Sequence, residues 1–144
     1  MKFVVISGGD GSGKTTLLRN LTEALESQGK RVAKASIWDI QSESNLPHLF
    51  LTRNQVPEYL AGTHAVSRVY FFLHCLHEAY QRAKQTGCDV LLFDAYWYKY
   101  MASEIAYGVS APQILAVTRA LPIPHQIIHL DLPLKDAAQR KTVY

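Results

Sequence analysis

The sequence predicts an α/β fold, a sheet of parallel strands linked by helices in right-handed crossovers. Three observations carry that prediction. Short runs of strand length and composition recur along the 144 residues, segments with helical spacing of apolar residues separate them, and glycines lead from the first run straight into the first helical segment.

Phe3-Val4-Val5-Ile6 is a continuous apolar run ending near glycines, the pattern of a strand buried on both faces. Leu17, Leu18, Leu21 and Leu25 recur at helical spacing and predict a helix from about Gly13 to Gln28, with Gly29 as its stop. Arg31 to Ile37 reads as a second strand. Ser42 to Gly62, interrupted by Pro47 and Pro57, reads as irregular. From about Thr63 to Thr86 the pattern is helical again, with Val66, Val69, Tyr70, Leu73, Leu76 and Tyr80 on one face, and Gly87 ends it. Val90 to Phe93 is a third strand closed by Asp94. Helix-like stretches follow to about Ala106 and from Pro112 to Ala120. Gln126 to Leu130 reads as the fourth strand, after which Pro133 opens a last helix.

A chain of this length builds one core, so residues 1–144 are read as a single domain. Hydrophobic residues make up 48% and charged residues 19%, as in an ordinary globular protein. The net charge of +3 is dispersed, with no run of like charge. That is too mild for nucleic-acid or membrane binding and suits a small anionic substrate. Cys75 and Cys88 lack the spacing of a zinc or redox motif, and are expected to be reduced thiols in a cytoplasmic protein. No apolar stretch reaches the length of a membrane span, and the apolar run at the N-terminus is too short for a signal peptide.

Gly8-Gly9-Asp10-Gly11-Ser12-Gly13-Lys14-Thr15 fits GxxxxGK[ST], between a predicted strand and a predicted helix, where that pattern makes a phosphate-binding P-loop. Glycines let successive backbone N–H groups turn inward around phosphate oxygens, and the following helix adds its positive end. Lys14 then reaches the β- and γ-phosphates of a nucleoside triphosphate, and the Thr15 hydroxyl ligates Mg²⁺, with Thr16 completing the loop.

Asp94 closes the third strand at the carboxyl edge, where open α/β sheets bind ligands, and is a candidate for Mg²⁺ or acceptor orientation. Asp131 holds the equivalent place on the fourth strand but also reads as a lead-in to the next helix. His74, Cys75, His77 and Glu78 lie on an amphipathic helix with no further ligand cluster, so a metal site there is set aside. Tyr96 to Tyr100 has two open readings, core packing or the wall of a base-binding pocket.

Phe3 to Thr16 resembles the opening of thymidylate kinases, whose loop reads EG-x-DG-x-GK-[ST]-T. Leu91-Leu92-Phe93-Asp94-Ala95-Tyr96 is similar to that family's strand ending in Asp-Arg-Tyr, and Ser103-Glu104-Ile105-Ala106-Tyr107 to its Ser-x-x-Ala-Tyr. Pro124 to Pro133 resembles the stretch before the family's lid, and Arg140 falls where its lid arginines begin. The resemblance implies a P-loop NTPase-type parallel sheet of order 2-3-1-4, lacking a fifth strand, with helices on both faces. It implies a kinase that moves the γ-phosphoryl of ATP, with Mg²⁺, to a nucleoside monophosphate such as dTMP. Lys14, Asp94 and Arg140 would be catalytic, Gly8 to Thr16 would hold ATP, and Thr15 and Asp94 the metal. Asp10 would contact the acceptor sugar, with Arg68, Tyr96 and Ser103 also on the acceptor. A homodimer is one open assembly state.

Departures cluster on the acceptor side. Ala95 stands where the family has the arginine of Asp-Arg-Tyr. Phe72 stands where its long helix carries an arginine, with Arg68 one turn earlier as the substitute. Lys34 to Asp39 replaces an REPGG segment. Two alternatives therefore stay open, a kinase for a nucleoside or another neutral hydroxyl acceptor, and a nucleotide-binding protein without turnover. The family continues past Arg140, so the chain is expected to be C-terminally truncated at the start of the lid.

Overall fold

The structure, a computed structural model, describes residues 1–39, 54–133 and 136. Its strands are β1 (Lys2–Gly8), β2 (Val32–Ala35), β3 (Val90–Asp94) and β4 (Gln126–Leu130). Its helices are α1 (Lys14–Ser27), α2 (Val56–Ala61), α3 (Ala65–Gln85), α4 (Trp97–Ala106) and α5 (Ala111–Thr118). The strands form one parallel sheet of order β2-β3-β1-β4, as expected. The chain divides into two compact units, one of residues 1–35, 83–96 and 124–144 and the other of residues 36–82 and 97–123.

The first unit is the sheet with α1. Central β1 is buried from Phe3 through Gly8, which accounts for the unbroken apolar run Phe3 to Ile6. On one face Val4, Ile6 and Leu92 pack with Leu18, and Leu17, Leu21 and Leu25 of α1 close over them. On the other, Phe3, Phe93 and Tyr96 meet edge to face with ring centroids 5.2–6.0 Å apart. β4 is brought to β1 by a side chain standing in for backbone. The Phe3 N–H donates to His125 Nδ1 at 3.0 Å, while the His125 N–H donates to the Phe3 carbonyl at 2.8 Å.

Arg31 and Asp89 lock the start of β2 beside β3. The Arg31 N–H donates to Asp89 Oδ2 at 2.9 Å, the Asp89 N–H returns to the Arg31 carbonyl at 2.8 Å, and the guanidinium reaches Asp89 Oδ1 at 3.0 Å. These hydrogen bonds from the Arg31 side chain and backbone hold the Asp89 carboxyl down to about 2.

β2 is shorter than the expected Arg31–Ile37. After Ala35 the Ser36 N–H donates to the Asp39 carboxylate at 2.6 Å and the Trp38 N–H to Ser36 Oγ at 3.2 Å, so a side-chain-capped turn replaces the ladder.

In the second unit, α2 occupies part of the stretch read as irregular. Pro57 sits in its first turn, where the missing N–H costs nothing, so the proline starts the helix rather than breaking it. The buried stripe of α3 is rotated from the expected face. Val69, Phe72, Leu76, Ala79 and Ala83 are buried, whereas Val66 and Tyr70 are 49% and 58% exposed. Cys75, Ala79 and Ala83 share the packed face with Val69, Phe72 and Leu76, a contribution that counting bulky residues passes over. Phe72 stacks on Tyr100 of α4 with centroids 4.9 Å apart.

Candidate functional site

β1 ends at Gly8 and α1 begins at Lys14, so the glycine loop spans the carboxyl end of a central strand and the amino end of a helix. Gly8 has φ 145°, and a Cβ there would lie 2.6 Å from the Leu130 carbonyl oxygen and 2.8 Å from Ser12 Oγ. Only glycine lets β1 turn into the loop beside β4. Gly13, the residue before α1, has φ 95°, again the left-handed region. The loop closes on itself through the Ser12 N–H to the Gly9 carbonyl at 3.3 Å, and α1 starts with the Leu17 N–H on the Gly13 carbonyl at 3.0 Å.

No side chain caps α1 and its first turn holds no acidic residue. Its leading N–H groups and positive dipole end are therefore not neutralised by a capping carboxylate. The Lys14 ammonium donates to the Gly9 carbonyl at 2.6 Å, lying back over the loop. Ser12 Oγ is buried with no hydrogen-bond partner. A cradle that a Cβ would fill, an orphaned buried hydroxyl and an ammonium held at the same loop together fit a chain of phosphates. Asp10, Thr15 and Thr16 are exposed along the same loop and first turn.

Asp94 ends β3 in register with Ile6 of β1, two residues before Gly8, so the structure brings it to the carboxyl edge that carries the loop. The next residue, Ala95, is buried and has φ 56°, the one positive φ among the described non-glycine residues, and its N–H donates to the Ile6 carbonyl at 2.9 Å. That left-handed step turns the chain out of the sheet directly after the carboxylate.

Tyr96 requires a correction. Expected on the acceptor, it is 0% exposed and enclosed by Phe3 and Phe93, so its ring is core and not pocket wall. The left-handed step at Ala95 breaks the strand's alternation and sends Tyr96 to the Phe93 face instead of the Leu92 face.

In the second unit, Ser103 is exposed on α4. Arg68 is tied down. Its Nε donates to both oxygens of Glu104 at 3.1 and 3.0 Å, Nη2 lies 2.8 Å from Oε2, and Nη1 donates to the Thr63 carbonyl at 2.8 Å. Its guanidinium carbon also sits 5.0 Å from the centre of the Tyr107 ring. Hydrogen bonding to Glu104 raises the Arg68 pKa, holding it charged. Glu104 escaped notice in the sequence, although it falls three residues after buried Met101 on the inward face of α4. Arg140 lies outside the described residues.

Among the described residues no group of three or more His, Cys, Asp or Glu side chains is placed to hold a metal ion. His77 Nε2 pairs with Gln81 at 3.1 Å, and burial pushes the Cys75 thiol up to about 12. No helix among the described residues is long and apolar enough to cross a membrane.

Comparison with known proteins gives a consistent picture. The family model of the CobQ/CobB/MinD/ParA nucleotide binding domain matches residues 3–134. A probable thymidylate kinase 1 of Saccharolobus solfataricus is 31% identical over 139 residues, covering 96% of this chain and 69% of that protein. A probable thymidylate kinase of Pyrococcus abyssi is 29% identical over 145 residues, covering 96% of this chain and 68% of that protein. Among solved structures, thymidylate kinase from Ehrlichia chaffeensis superposes with a TM-score of 0.67 at 18% identity, over 96% of this chain and 77% of that one, a likeness of fold.

Proposed function

The chain belongs to the thymidylate kinase family and carries a CobQ/CobB/MinD/ParA nucleotide-binding domain, and on that premise we propose that it moves the γ-phosphoryl of ATP to a nucleoside monophosphate such as dTMP. The observation that carries the reading is the loop itself, where Gly8 admits no side chain, Ser12 Oγ is buried without a partner and Lys14 rests on a backbone carbonyl. The Gly8–Gly13 backbone and the α1 amino end would bind the phosphate oxygens of ATP. Lys14 would leave the Gly9 carbonyl for the stronger, charged acceptor and neutralise charge as the phosphoryl moves. Thr15 and Asp94 would hold Mg²⁺, which when bound draws charge from the phosphate oxygens. Asp10 would contact the acceptor sugar, and Arg140 would serve as a lid arginine. Little covalent chemistry falls to the protein, and catalysis is positioning and charge neutralisation.

A second reading, a kinase for an unphosphorylated nucleoside, is favoured by two specific observations. Ala95 stands where the resembled family's motif has an arginine, and Arg68 is already engaged by Glu104. Incubation with ATP, Mg²⁺ and a panel of nucleosides and monophosphates, with product detection, tests both. Phosphorylation of dTMP above the rate for thymidine supports the first reading and the reverse order supports the second. Nucleotide binding with no transfer to any acceptor points to a non-catalytic protein.

A further inference from the structure

The Ser12 hydroxyl is closed to solvent and has no hydrogen-bond partner, although Gly9, Asp10, Gly11 and Thr15 around it are exposed. A phosphate bound in the loop occupies the open concavity, so an atom closed to water faces the other way, into the protein. The position of Oγ agrees. It lies 2.8 Å from the point where a Cβ on Gly8 would stand, and the Leu130 carbonyl oxygen lies 2.6 Å from the same point. The hydroxyl and the β4 carbonyl therefore flank one side of Gly8, with no methyl between them because residue 8 is glycine. All three residues belong to the first unit. The loop is folded on its own Gly9 carbonyl, which accepts from the Ser12 N–H at 3.3 Å and from the Lys14 ammonium at 2.6 Å. Phosphate oxygens compete for both donors, and the Ser12 side chain turns with its N–H.

We propose that Ser12 is a positioning residue for the phosphates. When they draw its N–H and Lys14 from the Gly9 carbonyl, the Ser12 hydroxyl donates to the Leu130 carbonyl and fastens the loaded loop to the end of β4. The empty loop leaves the desolvated hydroxyl uncompensated and the loaded loop satisfies it, so the side chain favours the nucleotide-bound geometry without touching nucleotide. This rests on the reading that the loop binds ATP. A merely structural hydroxyl would move the empty and loaded states together and leave affinity alone.

The test compares wild type with Ser12→Ala by thermal melting without ligand, calorimetric titration of ATP with Mg²⁺, and hydrogen exchange of the amides of residues 126–132 at saturating ATP. Ser12→Ala should melt at or above the wild-type temperature, since it deletes a buried polar atom that pairs with nothing. Its ATP affinity should fall about tenfold, the worth of one hydrogen bond made only in the loaded loop. ATP should slow exchange at the end of β4 in wild type and much less in the variant. A variant that melts clearly below wild type overturns the proposal, because the hydroxyl then already has a partner in the empty loop. Unchanged affinity overturns it as well. Lower affinity with equal β4 protection in both proteins overturns the link to Leu130 and makes Ser12 Oγ a phosphate ligand instead. Wild type that binds no ATP overturns the nucleotide reading itself, whatever the variant does, and the proposal with it.

Discussion

Gly8 and Leu130 are register partners on β1 and β4, and their backbones approach so closely that a Cβ on Gly8 would lie 2.6 Å from the Leu130 carbonyl oxygen. Gly9, one residue on, has nothing within 4 Å of the same position. Gly8→Ala must therefore displace β4 and also accept a left-handed φ, and should destabilise the protein by on the order of 2–4 kcal/mol. Gly9→Ala should cost less than about 1 kcal/mol. Chemical denaturation of the two variants checks this, and equal losses would show that β4 yields.

The Lys14 ammonium donates to the loop carbonyl of Gly9 at 2.6 Å. Lys14→Ala should reduce phosphoryl transfer from ATP by more than about tenfold, through lost charge neutralisation, while the melting temperature stays near that of wild type. Retention of most of the wild-type kcat would remove Lys14 from the reaction.

Ala95 holds φ 56° directly after Asp94. Ala95→Gly removes the left-handed cost of roughly 1–2 kcal/mol and adds chain entropy of similar size, so stability should move by less than about 1 kcal/mol. Ala95→Val places a β-branched side chain where that backbone forbids it and should cost on the order of 2 kcal/mol or more. Thermal melts of both variants decide the point. A harmless valine would mean that the turn relaxes to another conformation.

Asp89 is held down to about 2 by hydrogen bonds from Arg31, below the ordinary carboxylate value of 3.8. Because the folded value is the lower one, the pair's stabilisation is fully present above about 4 and disappears as pH falls through about 2. Asp89→Asn should lower the melting temperature modestly at neutral pH, since both side chains are largely exposed. The gap to wild type should close across that acid window. A gap that persists at the acid end would mean that the carboxylate charge is irrelevant and only the hydrogen-bond shape matters.

Much of the fold was legible because its signals are local. The β4 bounds, Gln126–Leu130, match the sequence reading, and the strand order follows the family resemblance. α2 was missed because Pro57 breaks a helix in the interior but suits the first turn, a distinction of position and not of residue type. The rotated face of α3 has a similar origin, since Cys75, Ala79 and Ala83 are buried for their small size, which hydrophobic counting undervalues. Ser36 and Asp39 ended β2 early through side-chain hydrogen bonds that apolar patterning does not register.

The sequence by itself determined the glycine loop, the strand before it, the helix after it and the carboxylate at the end of β3. Each of these is written in neighbouring residues, because backbone dihedral preference and apolar period act over a few positions. Only the tertiary structure decided what meets across the chain. It set Leu130 against Gly8, enclosed Tyr96 between Phe3 and Phe93, and joined Arg68 to Glu104 across 36 residues. The physical reason is that a side chain's charge and burial depend on which distant segment packs beside it. Arg68 reads in the sequence as one more dispersed cation, and only the fold supplies the buried carboxylate that pairs with it.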